Sequence, residues 1–219
     1  MDSYVLSSLL FLWLILFSGL GAVATFVLCV YCPSMAKSIS RGVEALFVPG
    51  LVLASMLLLL GQFLFRYDMT FPVGFGSSLW TQIFSLMGPA FTLFVCSGLM
   101  KAVVQNCIML HEYWIHKPCA VFIRSLGLSV SSQLAPVIIL QSFTRSWSQS
   151  ISWVFGEILI VESIFNVPGI GYTIWTFAKE RQISELWNSL WILLVIYLGV
   201  CLVNYVMGAW LGKKLESYV

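Results

Sequence analysis

Few side chains in this chain are suited to chemistry, and their spacing restricts what they can do. Two carboxylates, Glu157 and Glu162, fall within one apolar stretch. An ionised acid in a membrane interior is costly, so each is a functional candidate by default. Glu162 stands three residues from the outer end of its stretch, where accepting backbone hydrogen bonds or pairing with a neighbouring helix gives it a structural role. Glu157 lies deeper, and two readings stand for it: it faces an aqueous path and meets a cationic ligand, or it is a neutral, hydrogen-bonded packing group. The two histidines, His111 and His116, are spaced i, i+5, which does not bring them onto one helix face. No acid or thiol forms a triad with them, so no catalytic residue is expected. Of the six cysteines, Cys29, Cys96, Cys107 and Cys201 fall in apolar runs, where a thiol acts as a small hydrophobe. Cys29-Val-Tyr-Cys32 is a lone C-x-x-C without nearby partners, and no metal site is expected. Gly208-Ala-Trp-Leu-Gly212-Lys213-Lys214 has the look of a phosphate-binding loop. Its spacing is one residue short, no Ser or Thr follows the lysine, and it closes an apolar helix rather than leaving a strand.

The elements that must position these groups are membrane helices. The chain has 219 residues, 60% hydrophobic and 9% charged, with a mean hydropathy of +0.96. A soluble domain carries roughly a quarter charged residues, so the solvent here is lipid. A net charge of +2 is too small to suggest nucleic acid as a partner. A bilayer core of about 30 Å needs some 20 apolar residues per helix. Five stretches reach that length: Val5–Tyr31, Val43–Phe65, Ile83–Leu110, Trp147–Phe165 and Trp187–Leu211. The expected fold is therefore an all-α polytopic membrane protein with about five transmembrane helices. The first stretch is read as a retained helix, since its flank holds Asp2 and no Lys or Arg and its apolar run is too long for a signal peptide.

Basic residues orient the chain. With the C-terminus in the cytoplasm, Lys37, Arg41, Lys101, Lys117, Arg124, Arg145, Lys213 and Lys214 fall inside and Arg66, Lys179 and Arg181 outside, eight against three. The N-terminus is then outside. Arg145 is placed at the cytoplasmic start of the fourth helix, its long side chain reaching the headgroups.

Between the last two stretches runs Val161-Glu162-Ser163-Ile164-Phe165-Asn166-Val167-Pro168-Gly169-Ile170-Gly171. Pro168 cannot continue a helix, and Gly169 and Gly171 permit backbone geometry closed to other residues. This is a built corner, and it resembles Val-Glu-x-x-Phe-x-x-Pro-Gly-x-Gly, found before the last transmembrane helix in inner-membrane permeases of the dipeptide, oligopeptide and nickel ATP-binding-cassette (ABC) importers. Glu162, Phe165, Pro168, Gly169 and Gly171 carry the likeness. The resemblance implies a type I ABC importer transmembrane fold over 1–219 as a single permease domain. The similarity starts at the family's second helix, so the usual first helix and its external segment are missing from the match.

The resemblance also implies a cytoplasmic coupling region over about 111–146. There Ile123-Arg124-Ser125-Leu126-Gly127-Leu128-Ser129 is similar to a family signature near Ala-x-Ala-Lys-Gly-Leu-Ser. Gly127, Leu128 and Ser129 match, whereas the small-residue pair and the lysine do not. Gly127 suits a tight turn, Ser129 suits a helix cap, and Leu126 and Leu128 supply an apolar knob for an ATPase cleft beside Arg124. Upstream, Leu110-His111-Glu112-Tyr113-Trp114-Ile115 is similar to a family Leu-Arg-Gln-Asp-Tyr-Val. Over about 166–186 an external corner is followed by an interfacial helix, Tyr172–Leu186, with Ile174, Trp175 and Phe177 apolar and Lys179, Glu180 and Arg181 charged. In the last helix Gly208-x-x-x-Gly212 allows close helix approach, and Asn204 matches a family asparagine.

As a member of such a system the chain implies a second homologous permease, two ATPase subunits that hold ATP and magnesium, and an extracytoplasmic substrate-binding protein. It needs no cofactor of its own and sits as a multi-pass protein in a bacterial inner membrane. Glu157 is then a translocation-path candidate, and the cargo is a peptide or a chelated metal of the nickel type. The alternative is a non-transporting structural or regulatory membrane subunit descended from such a permease, favoured by the altered coupling sequence and by Glu157.

Overall fold

The computed structural model describes residues 3–45, 50–65 and 79–216. Among them the chain is entirely helical, in ten helices and no strand. They are α1 Ser3–Tyr31, α2 Pro33–Ala45, α3 Gly50–Phe65, α4 Leu79–Ser85, α5 Met87–Cys96, α6 Leu99–Ile115, α7 Pro118–Ser125, α8 Val130–Ile164, α9 Ile170–Lys179 and α10 Ile183–Glu216. The all-α membrane fold expected from composition is the one observed.

The spans differ from the five expected. Among the described residues, two helices are long and apolar enough to cross a membrane, within Val5–Tyr31 and Ile183–Lys213. Gln82–Cys96 and Leu99–Ile115 make a third if taken together as one broken span. The expected second span, Val43–Phe65, divides between α2 and α3, with 46–49 outside the described residues. The third breaks at Ser97-Gly98, where Gly98 takes φ 72, a left-handed conformation that glycine adopts without steric cost. The fourth is the end of a much longer helix. At 1.5 Å per residue the 35 residues of α8 extend about 52 Å, well beyond a bilayer core. Most of the expected polar region, 111–146, is accordingly helical, shared among the end of α6, α7 and the first half of α8. The interfacial helix is shorter than expected: α9 stops at Lys179, and Ile183–Leu186 already belongs to α10. Of the residues used for orientation, Arg66 lies outside the described residues.

The chain divides into two compact units. One comprises Met1–Phe17, Phe47–Ser97 and Ser152–Gly199. In it Leu6, Leu10 and Leu14 of α1 are buried one turn apart, as are Val154, Ile158 and Val161 of α8, the i, i+4 repeat of a packed helix face. Leu86, Ala90 and Leu93 complete this core, and α3 packs on α5. The other unit comprises Ser18–Leu46, Gly98–Ile151 and Val200–Val219. Phe26, Cys107, Leu110, Trp114 and Ile138 form its centre, and α2 packs on α6. Here α8 brings polar groups inward. Asn106 Nδ2 donates to Ser146 Oγ (3.0 Å) and Gln149 Oε1 (2.9 Å), Trp114 Nε1 to Gln141 Oε1 (3.1 Å), and Trp147 Nε1 to Ser18 Oγ (3.1 Å). Such bonds join helices where lipid offers polar atoms no partner.

Candidate functional site: the Glu162 corner and the Gly127 turn

The corner begins where α8 ends. Asn166 takes φ 55, and the Val167 amide donates to the Glu162 carbonyl at 2.9 Å. This six-residue closure with a left-handed residue is a Schellman ending, and asparagine follows glycine as the residue that tolerates it. Pro168 then prevents the chain from resuming the helix. The Gly169 amide turns back onto the Val167 carbonyl (2.7 Å), and α9 starts at Ile170.

Glu162 sits under this loop, fully buried. Its Oε1 accepts from Ser7 Oγ (2.7 Å) and its Oε2 from the Gly171 and Tyr172 amides (2.7 and 3.3 Å). The carboxyl therefore takes up two of the amides left unpaired at the start of α9, and its bond to Ser7 ties it to α1. Ser7, in α1, also accepts from the Ile170 amide (2.9 Å), so one hydroxyl serves α8 and α9 together.

The glycines are explained by this carboxyl. Gly169 has ordinary backbone angles, φ −93, yet a Cβ there would overlap the Glu162 carboxyl. A Cβ on Gly171 would come within 2.9 Å of Leu159 Cα and 3.0 Å of Glu162 Oε2. Space, not backbone freedom, requires both. Phe165 is fully buried, with its ring 3.9 Å from where a Cβ on Gly88 would stand. Glu162, Gly169 and Gly171 are thus brought together, and the structure adds Ser7 and Asn166. Ser7 is one of four serines in α1, so no local signal singles it out.

The second region is the turn after α7. Gly127 takes φ 74, its amide reaches the Arg124 carbonyl (3.0 Å), and the Leu128 amide reaches the Ile123 carbonyl (3.2 Å). This is again a Schellman ending, here with the glycine that best suits it. Ser129 stands directly before α8. Its hydroxyl pairs with that of Ser132, and its carbonyl accepts from the Gln133 amide. Arg124 and Ser129 are exposed, and Leu126 and Leu128 are 58% and 49% exposed. Val121 and Phe122, unremarked in the sequence, are exposed beside them. They became visible only once α7 had a defined face.

The remaining candidates are less connected. Glu157 is half-buried on α8. The backbone around Gly208 and Gly212 is open, with nothing close to a Cβ built on either, so no helix of the described chain uses this pair for close packing. Asn204 is half-buried. On α9, Ile174 is buried and Trp175 exposed, so these two do not share one apolar face. His111 and His116, expected apart, line a common cavity. Among the described residues no group of His, Cys, Asp or Glu is placed to hold a metal, and all six cysteines are free.

The corner and the helix beyond it fall within a recognisable segment. Residues 132–217 match the family described as binding-protein-dependent transport system inner membrane component. The matched segment is somewhat under half of the 219 residues. It takes in α8 from Ser132, the whole Glu162 corner, α9 and α10, and it starts three residues after Ser129. It supports a membrane permease component of a binding-protein-dependent transport system, a type of component that works with a substrate-binding protein and ATPase subunits. No curated protein matches the chain.

Proposed function

We propose that this chain is a permease subunit of an ATP-driven importer of the dipeptide, oligopeptide or nickel type. It forms half of a translocation path with a second, related permease. Two ATPase subunits dock at the Gly127 turn, and an extracytoplasmic binding protein delivers a peptide or chelated metal at the corner side. ATP binding closes the ATPases and biases the helices between inward-open and outward-open states. The chain performs no bond chemistry; differential contact with its partners drives a two-state change.

The observation that carries this reading is the Glu162 corner inside the matched segment, where Gly169 and Gly171 of the motif leave room for the buried Glu162 carboxyl and the Gly171 amide donates to it. The exposed apolar side chains around Gly127 support the docking step, since an apolar group held out on a short helix is what a partner cleft buries. A second reading, a non-transporting subunit descended from such a permease, is favoured by the start of the matched segment at residue 132, beyond the coupling turn.

Affinity purification in mild detergent, followed by an ATPase assay on what co-elutes, separates the two. Recovery of a second permease and two ATPases, lost with Arg124→Glu and Gly127→Trp, is the expected result. A complex indifferent to both changes would remove docking from this turn, and recovery of the chain alone would favour the non-transporting subunit.

A further inference from the structure

Where the apolar span of α1 ends, the unit that contains α2 and α6 holds a cavity of about 180 Å³. Its walls include Cys29 from the last turn of α1, Pro33 and Ala36 of α2, and Ile108 and Ile115 of α6. Polar groups complete the lining. Lys37 and Glu112, both well exposed, form an ion pair at 3.0 Å. His116 is exposed, and His111 has its Nε2 buried with no hydrogen-bond partner among the described residues. An adjoining, wider depression adds Lys117, whose Nζ lies 4.5 Å from the Tyr113 ring centre.

We infer that this cavity binds the phosphate headgroup of a membrane phospholipid, with the glycerol and upper acyl carbons against its apolar walls. Three observations favour an amphiphile over a free ion. The first is position: Cys29 belongs to the membrane-spanning stretch Val5–Tyr31, and α2 follows directly after Tyr31. The cavity therefore sits at the level where hydrocarbon gives way to headgroups. The second is lining: an apolar wall beside cationic groups suits a molecule with both characters, and basic pockets between membrane helices are recognised headgroup sites. The third is the charge arrangement. Lys37 and Lys117 outnumber Glu112, and the exposed His116 imidazole adds a further polar group. On α2, Ala36 and Val43 are buried while Lys37 and Arg41 are exposed. The helix thus lies with its apolar side on α6 and a basic edge outward, as interfacial helices do. By the distribution of basic residues this is the inner leaflet. The inference needs the membrane placement and does not depend on the importer reading.

Native mass spectrometry of the full chain released from lipid nanodiscs tests it, with phosphatidylglycerol as the probe. The wild-type chain is expected to retain one phospholipid through stepwise delipidation. Lys37→Ala with His116→Ala is expected to reduce that occupancy at least about five-fold, the usual effect of removing one cation beside an anionic lipid. Lys179→Ala, at the end of α9, is expected to match wild type. Should the double variant fold poorly, Glu112→Gln keeps the test open, because it frees Lys37 and is expected to raise occupancy. Equal occupancy in all variants would overturn the proposal. So would protection of the delipidated chain by inorganic phosphate alone to the extent given by the phospholipid, which would identify a free-ion site instead.

Discussion

The Glu162 corner and the Gly127 turn end their helices with the same backbone device and surround it with opposite environments. Each has one left-handed residue, Asn166 or Gly127, and a bond back to a carbonyl five residues earlier. At the corner Glu162, Phe165 and Gly169 turn inward. A fully buried carboxyl collects a hydroxyl and two amides, and two glycines leave room for it. At the turn, four large apolar side chains, Val121, Phe122, Leu126 and Leu128, stand exposed. The difference separates a corner fixed by its own chain from a turn whose apolar side chains are left uncovered. If that contrast is right, substitutions at the corner cost stability, and substitutions at the turn cost association.

The largest effect is expected at Glu162. Replacing it with Ala leaves the buried Ser7 and Gly171 donors and the half-buried Tyr172 amide without their acceptor, at about 3 kcal/mol or more. Thermal unfolding in detergent should register this as lost folded protein. Glu162→Gln keeps an acceptor and should be milder. A Glu162→Ala chain as stable as wild type would end the description of the corner as self-fixed.

Gly169→Ala comes next. Its Cβ enters the space of the Glu162 carboxyl, and overpacking of this kind costs about 1–3 kcal/mol. The informative measurement is the double-mutant cycle. With Glu162→Ala already present the clash is gone, so the two losses should be well short of additive. Strict additivity would show that Gly169 serves the backbone and not the carboxyl.

Ser7→Ala should cost about 1–2 kcal/mol, since it breaks one bond to a carboxyl and leaves the Ile170 amide unpaired. Ser7→Thr, which retains the hydroxyl, should recover part of it in the same assay. At the turn the expectation reverses. Leu126→Ser with Leu128→Ser removes exposed apolar surface and should change stability by no more than about 0.5 kcal/mol, while reducing recovery of ATPase subunits in pull-downs. A stability loss as large as that of Ser7→Ala would mean that these leucines pack within the chain, and the comparison would fail.

Much of this was legible in the sequence where a single residue type has one physical use. Proline followed by closely spaced glycines announced the corner, Gly127 announced its turn, and composition announced the solvent. What escaped depended on distant chain segments meeting. Ser7 is 155 residues from Glu162, and nothing local marks it as the partner. The role of Gly169 was also misjudged from local reasoning, which assigned it conformational freedom when it provides room for a carboxyl. Helix limits failed for a related reason. Hydropathy sees the apolar half of α8 and not the Ser- and Gln-bearing half, which remains helical because Asn106, Trp114 and Ser18 satisfy its polar groups or those beside them.

A third helix ending sharpens the comparison with the smallest expected effect. α9 closes through Arg181, with φ 58 and the Gln182 amide on the Phe177 carbonyl at 3.0 Å. A residue with a Cβ pays about 1 kcal/mol for a left-handed conformation that glycine adopts freely. Arg181 is exposed, so no packing offsets that cost, and Arg181→Gly should stabilise the chain by up to about 1 kcal/mol. The opposite change at Gly127, to Ala, should destabilise it by a similar amount, because the space is open and only the backbone angle objects. Equal and opposite shifts in the two unfolding curves would show that these exposed endings are governed by backbone conformation alone. Arg181→Gly with no gain would mean that the arginine makes a contact worth as much as the strain it carries.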